Sequence, residues 1–171
     1  MSFRFISVLA AALLLAACQT APETTKKAAG TGGAATTTAP APTTEQGGMP
    51  GVTPGTEQDL VANVGDRIFF DFDKSDIRVD ARTRLDGWSD WLKKYPQATA
   101  VIEGHCDERG TREYNLALGE RRANAAKSYL VAKGIDAKRL QTISYGKERP
   151  AVVGSNEAAW SQNRRAVLVV Q

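Results

Sequence analysis

One histidine and two cysteines in 171 residues leave little material for metal or thiol chemistry. No apolar run approaches the ~20 residues that a helix needs to cross a bilayer; the stretch from Ile6 to Leu15 is about half that length. Charge of one sign is also scarce. Lys and Arg number 22 against 19 Asp and Glu, a net +3, and no Lys/Arg run is interleaved with stacking aromatics. That excludes a case for nucleic acid. Residues 19–56 contain no aromatic side chain and almost no large aliphatic one. They cannot bury enough apolar surface to offset their ordering entropy.

What is present falls into three parts. Residues 1–17, with Arg4 ahead of the apolar stretch, read as a secretory signal. Leu15-Ala16-Ala17-Cys18 resembles the lipobox of bacterial lipoproteins, in which the cysteine thiol takes a diacylglyceryl group and becomes the new N-terminus. Two or three acyl chains then anchor a protein durably. Gln19, rather than Asp, favours the outer membrane by resemblance to lipoprotein sorting in enteric bacteria. Residues 18–56 read as a lipid-anchored tether, about 30–40 Å across as a coil and about 125 Å fully extended. Residues 57–171 suffice for one small domain with a single core. With Cys18 committed to lipid, Cys106 is a lone thiol in an oxidising compartment, and an internal disulfide is excluded.

Within that domain Arg67 to Phe72 reads as a strand on its aromatic content. A helix from about Asp80 carries Ala81, Leu85, Trp88 and Leu92 on one stripe and is stopped by Pro96. Residues 98–105 form a second strand. A long helix runs from about Thr111 to Lys133, capped by Gly134, with Leu118, Ala125, Ala126, Tyr129 and Leu130 on one face. Leu140 to Tyr145 is a third strand, Glu157 to Asn163 a short helix, and Ala166 to Val170 a last strand. This alternation gives an α/β sandwich with helices packed on a sheet; the pattern alone leaves parallel or mixed pairing open.

The stretch Glu103-Gly104-His105-Cys106-Asp107-Glu108-Arg109-Gly110 places an acid, Asp107, at the mouth of the second strand. Arg122 falls inside the apolar stripe of the following helix. A fixed carboxylate and a fixed guanidinium on one cleft suit a ligand carrying both an ammonium and a carboxylate. Two plainer readings stand beside this. Arg122 is a surface residue whose stem covers the core, or it closes a structural ion pair with Asp107. With both residues beside a glycine turn, the expectation is an open cleft in which replacing either costs little, within about 0.5 kcal/mol. His105 and Cys106 do not make a hydrolase, because neighbours on a strand point to opposite faces. Cys106 is expected as a small packed side chain and His105 as a hydrogen-bonded structural residue. No metal, cofactor or catalytic activity is expected. Asp71 and Asp73 gain interest only if the first two strand ends lie together.

Phe70-Asp71-Phe72-Asp73-Lys74-Ser75-Asp76-Ile77, the Gly104–Thr111 stretch, Tyr114-Asn115, Gly119-Glu120-Arg121-Arg122-Ala123, Ser144-Tyr145-Gly146 and Trp160-Ser161-Gln162-Asn163-Arg164-Arg165 resemble the OmpA-like C-terminal domain family. The resemblance covers about residues 65–171; Cys106 stands where the family pattern has Thr. It implies a two-layer sandwich of helices on a small mixed β-sheet. It also implies a non-catalytic domain that grips the peptidoglycan stem peptide at meso-diaminopimelate. By position, Asp107 takes the ammonium and Arg122 the carboxylate, while Phe72, Asp73, Arg109 and Leu118 line the same cleft. The implied partners are the Tol system, through the periplasmic propeller TolB, with a role in holding outer membrane to wall during division.

Overall fold

The computed structural model describes residues 51–171; the signal, Cys18 and most of the tether lie outside them. Helix α1 (Glu57–Asn63) leads into strand β1 (Arg67–Phe69), helix α2 (Val79–Lys94) and strand β2 (Ala100–His105). Helix α3 (Arg112–Ala132), a 3-10 turn (Ala137–Arg139) and strand β3 (Leu140–Gly146) follow, then helix α4 (Glu157–Asn163) and strand β4 (Arg165–Val170). The strands form one mixed sheet in the order β1-β4-β2-β3. β4 is antiparallel to both neighbours, and β2 pairs with β3 in parallel. The parallel pair requires a crossover, which α3 supplies.

Alternation along the strands turns one face to the helices. Ile68, Ile102, Leu140, Ala166 and Leu168 meet Leu60, Leu85, Trp88, Leu92, Ala126 and Leu130 in the core. Helix α3 sits unusually close to β2. A Cβ on Gly104 would come within 1.9 Å of the Gly119 carbonyl oxygen, so only glycine fits there. At its far end, Ile135 N–H donates to Leu130 O and Gly134 N–H to Val131 O, the paired bonds of a Schellman cap. Gly134 takes φ +94°.

The expected elements are present, with four corrections. The first strand ends at Phe69 rather than Phe72: Phe70 N–H still reaches Arg164 O, but Arg164 N–H turns back to Trp160 O and Phe70 O takes the Arg164 side chain instead. Helix α1 was not expected; its N-cap Thr56 accepts from Asp59 N–H and Leu60 is its one core residue. On α3 the buried face is Leu118, Gly119, Arg122, Ala123, Ala126 and Leu130, with Ala125 and Tyr129 only at its margin. The 98–105 strand starts at Ala100.

Candidate functional site

β1, β2 and β3 all end at the same pole of the sheet, and β4 begins there. Clefts at carboxyl ends of strands are a common place for ligands in α/β sheets. Here a cavity of ≈ 160 Å³ is lined by Phe72, Asp73, Cys106, Asp107, Arg109, Gly110, Tyr114, Asn115, Leu118 and Arg122. All six residues expected at the site, Phe72, Asp73, Asp107, Arg109, Leu118 and Arg122, are thus brought together.

Two turns form the lips. The first, Asp71–Lys74, contains Asp73 at φ +56°, a left-handed conformation that Asp tolerates better than most side chains. Its carboxylate accepts from the Tyr114 hydroxyl. The second lip, Cys106–Gly110, is pinned by Asn115, whose Nδ2 donates to Arg109 O at 2.7 Å and to Thr111 O at 3.0 Å.

Arg122 does not pair with Asp107, and the cleft is not open around either. Arg122 is 0% exposed and Asp107 4%. The guanidinium donates to three main-chain carbonyls: Nε to Lys74 O at 2.8 Å, Nη1 to His105 O at 2.8 Å and Nη2 to Asp71 O at 3.1 Å. One arginine thereby stitches both lips together from below. Burial lowers its pKa, partly offset by Cys106 and Asp107. Of five N–H groups on a guanidinium, three are used by these carbonyls; the group also meets the Cys106 thiol and lines the cavity. The expectation of an open cleft is therefore overturned, and removing Arg122 would unpair three main-chain carbonyls, that of His105 in a buried bond and those of Asp71 and Lys74 in half-buried ones.

Asp107 lies between two other arginines. Arg109 Nη2 and Nε donate to its carboxylate at 2.6 and 3.2 Å, with Arg109 N–H at 3.1 Å. Arg164 Nη1 lies 3.4 Å from the same Oδ2. Burial pushes the Asp107 carboxyl up, but the bonds from Arg109 and Arg164 outweigh it and hold the group below its ordinary value. The Arg109 guanidinium is sandwiched 3.9 Å from the Phe72 ring centroid and 4.1 Å from that of Trp160. Phe72 is 56% exposed, so it serves the cleft rather than the core. In the sequence Trp160 and Arg164 are only letters of a motif; their burial and contacts come from the fold.

Cys106 is packed, its Sγ 3.3 Å from Asn115 O, and burial pushes its thiol pKa up to about 11. His105 turns to the other side of the sheet, its ring 5.5 Å from that of Tyr145. The hydrogen bonding expected of it is weak: neither buried ring nitrogen has a well-formed partner, though the Arg149 main chain interacts with the ring and Glu103 Oε2 stands 3.4 Å from Nε2. Burial, with Arg165 nearby, lowers its pKa to about 4, so the ring is neutral at pH 7. Among the described residues no group of His, Cys, Asp and Glu could hold a metal ion, and no helix is long and apolar enough to cross a membrane.

Residues 69–164 match the OmpA family, a span that contains the whole cleft, and the chain belongs to that family. Within it, the chain is 58% identical to the Peptidoglycan-associated lipoprotein of Rhizobium meliloti (strain 1021), covering 72% of this chain and 70% of that protein. Identity is 56% to the protein of the same name from Brucella melitensis biotype 1, over 72% of this chain and 73% of that one. Among solved structures, the peptidoglycan-associated lipoprotein from Burkholderia pseudomallei superposes with a TM-score of 0.61 at 42% identity, over 62% of this chain and 90% of that one. The C-terminal domain of Helicobacter pylori MotB shares the fold at TM-score 0.58 and 18% identity, over 62% of this chain and 84% of that one.

Proposed function

We propose that this chain is an envelope lipoprotein, anchored in the outer membrane through Cys18, whose domain at 57–171 non-covalently holds the peptidoglycan stem peptide at meso-diaminopimelate. The observation that carries the reading is the pairing, on one ≈ 160 Å³ cavity, of a buried carboxylate and a separate buried guanidinium. A zwitterionic end group answers both charges at once through charge-assisted hydrogen bonds, the stronger kind. Its ammonium takes Asp107, displacing Arg109, and its carboxylate takes the Arg122 guanidinium where it lines the cavity. Phe72, Asp73, Arg109 and Leu118 enclose the remainder. No step breaks or makes a covalent bond, and the role is that of a clamp between membrane and wall.

Titration of the protein with a diaminopimelate-containing stem peptide, beside the lysine-containing equivalent, tests the reading. Lysine lacks the extra carboxylate, and leaving one side of a desolvated charge pair empty costs about 2–5 kcal/mol. Equal affinity for the two peptides would remove the role given to Arg122. Cys18→Ser tests the anchor: the variant should leave the membrane fraction and keep its wall binding.

A second reading has its own support in the exposed apolar rim of the same pole. Phe72, Tyr114 and Leu116 are 56%, 45% and 45% exposed, and Val153 90%. Such a rim suits docking of a protein, TolB of the Tol system, with wall binding secondary and a role in division. Pull-down on purified, protein-free sacculi separates the two readings, because only the clamp binds without a protein partner.

A further inference from the structure

The Trp160–Arg165 motif has no part in the ligand contacts described above, yet one of its residues reaches the acid at the centre of them. Arg164 is 6% exposed and stands at the junction of α4 and β4. Its guanidinium touches three elements. Nε donates to Phe70 O at 3.1 Å, Nη2 to Glu157 Oε1 at 2.5 Å, and Nη1 lies 3.4 Å from Asp107 Oδ2. Its own carbonyl accepts from Phe70 N–H at 2.9 Å, so its base is tied to the end of β1 on both sides.

Arg109 contrasts with it at every point. It belongs to the same turn as Asp107, and its side chain is 30% exposed where that of Arg164 is 8%. It is held by stacking between two rings and by the carboxylate itself. A cation that enters the cavity and takes Asp107 has to replace one of the two guanidinia. The exposed, locally attached one is the one that can leave; the buried one, fixed to β1, cannot move without undoing the sheet edge.

We infer that Arg164 is a positioning residue for ligand binding: it holds Asp107 in place, and ionised, while the ammonium of the ligand takes the place of Arg109. This rests on the reading of the cleft as a diaminopimelate site. The charged groups facing Asp107 are Arg109 on its own turn, Arg164 at the start of β4 and Arg122 on α3, with Glu157 of α4 on the far side of Arg164. Losing Arg164 removes the one guanidinium in direct contact with the Asp107 carboxylate that remains after the exchange. The carboxylate is then free to turn, and its proton is harder to lose.

The test uses the full-length chain in detergent, with two readouts for Arg164→Gln and Arg164→Lys. The first is affinity for the diaminopimelate stem peptide from pH 4 to 8, expressed per folded molecule. The second needs no ligand: the titration of the Asp107 side-chain carboxyl carbon by NMR. Arg164→Gln should weaken binding by about tenfold or more at neutral pH and move the Asp107 midpoint upward. Lysine keeps the charge but has no fork to reach three acceptors, so Arg164→Lys should fall between wild type and Gln in both readouts. If Arg164→Gln does not fold, Arg164→Lys decides alone. A lower melting temperature with unchanged Asp107 titration and unchanged affinity overturns the inference and makes Arg164 structural only. Failure of the wild-type protein to bind the peptide at any pH sinks the reading of the cleft instead, and the Asp107 titration still reports whether Arg164 holds that carboxylate.

Discussion

Two aspartates are buried among the described residues, Asp59 at 8% and Asp107 at 4% exposure, and they lie at opposite poles of the sheet. Asp59 belongs to the pole where β2 begins. It accepts from Gly55 N–H at 3.0 Å, Trp91 Nε1 at 2.8 Å and Asn63 Nδ2 at 2.8 Å. Every one of those donors is neutral. Asp107, at the pole where β2 ends, is satisfied mainly by guanidinium groups. In both cases burial pushes the carboxyl pKa up and hydrogen bonds bring it below its ordinary value. The difference lies in what could replace the donors. A backbone amide and an indole cannot be exchanged for a ligand, whereas a cation on a half-exposed side chain can. Neutral saturation marks a structural acid; cationic saturation marks one that a charged ligand can enter.

The sharpest way to break this contrast is to remove the residue that underlies the cleft pole. Arg122→Ala should destabilise the domain by about 3–5 kcal/mol, since it unpairs three main-chain carbonyls, one of them buried, and leaves a void where a fully buried side chain stood. Thermal melts check this; a loss below about 1 kcal/mol would mean that the lips do not depend on it.

Asp59→Ala and Asp107→Ala should then differ in kind. The first should cost about 2–4 kcal/mol by orphaning an indole N–H and an amide, with stem-peptide affinity per folded molecule unchanged. The second should lose about tenfold or more in affinity for a stability cost of only about 1–2 kcal/mol. It costs less because Arg109 already reaches water and Arg164 retains Glu157. Denaturant unfolding beside peptide titration measures both quantities, and matching profiles for the two variants would erase the distinction.

Acid provides a finer probe. Both aspartates have folded-state pKa values below the ordinary one, so their contribution is complete above about pH 4 and is lost as pH falls through the folded values. Asp59→Asn and Asp107→Asn should each flatten the acid limb of the stability curve, and only Asp107→Asn should also remove the acid limb of peptide binding. Unfolding curves and titrations from pH 2 to 6 read the two limbs.

The smallest effect concerns Cys106. Buried, with its thiol pushed up to about 11, it should resist alkylation at pH 8 on the native protein. Asp107→Ala should speed its labelling severalfold by loosening the adjacent lip, and Asp59→Ala should not. Mass spectrometry of iodoacetamide-treated protein reads this, and equal acceleration by both variants would show that the poles do not open independently.

Much of this site was legible in the sequence because its members are chemically conspicuous. An arginine inside an apolar helical stripe and an acid at a strand end both break the local pattern. Their partners could not be read the same way. Arg122 is satisfied by main-chain carbonyls at 71, 74 and 105, and no letter of the sequence announces a carbonyl. Arg164 was hidden beside Arg165 ahead of a strand of five further apolar residues, with nothing to say which of the two turned toward Asp107. The aromatic run at 67–72 read as strand to its end, although Phe72 is spent on stacking Arg109. Helix α1 escaped notice because it contributes one residue, Leu60, to the core.

The two poles also set how the domain would bear a pull. The folded chain begins beside Tyr95, where a Cβ on Gly55 would sit 3.1 Å from that ring, and Gln171 N–H joins Thr99 O close by. The cleft lies at the other end of β2. Tension between these points runs along the strand axis, across hydrogen bonds that stand roughly perpendicular to it. The chain enters the sheet through β1, an edge strand paired with β4 alone, so such a load meets that ladder in shear and has to break its bonds together. A pull across the strands would open them one after another. Resistance to stretching thus follows from where the chain joins the sheet, and it would be felt as slow forced unfolding rather than as a higher melting temperature.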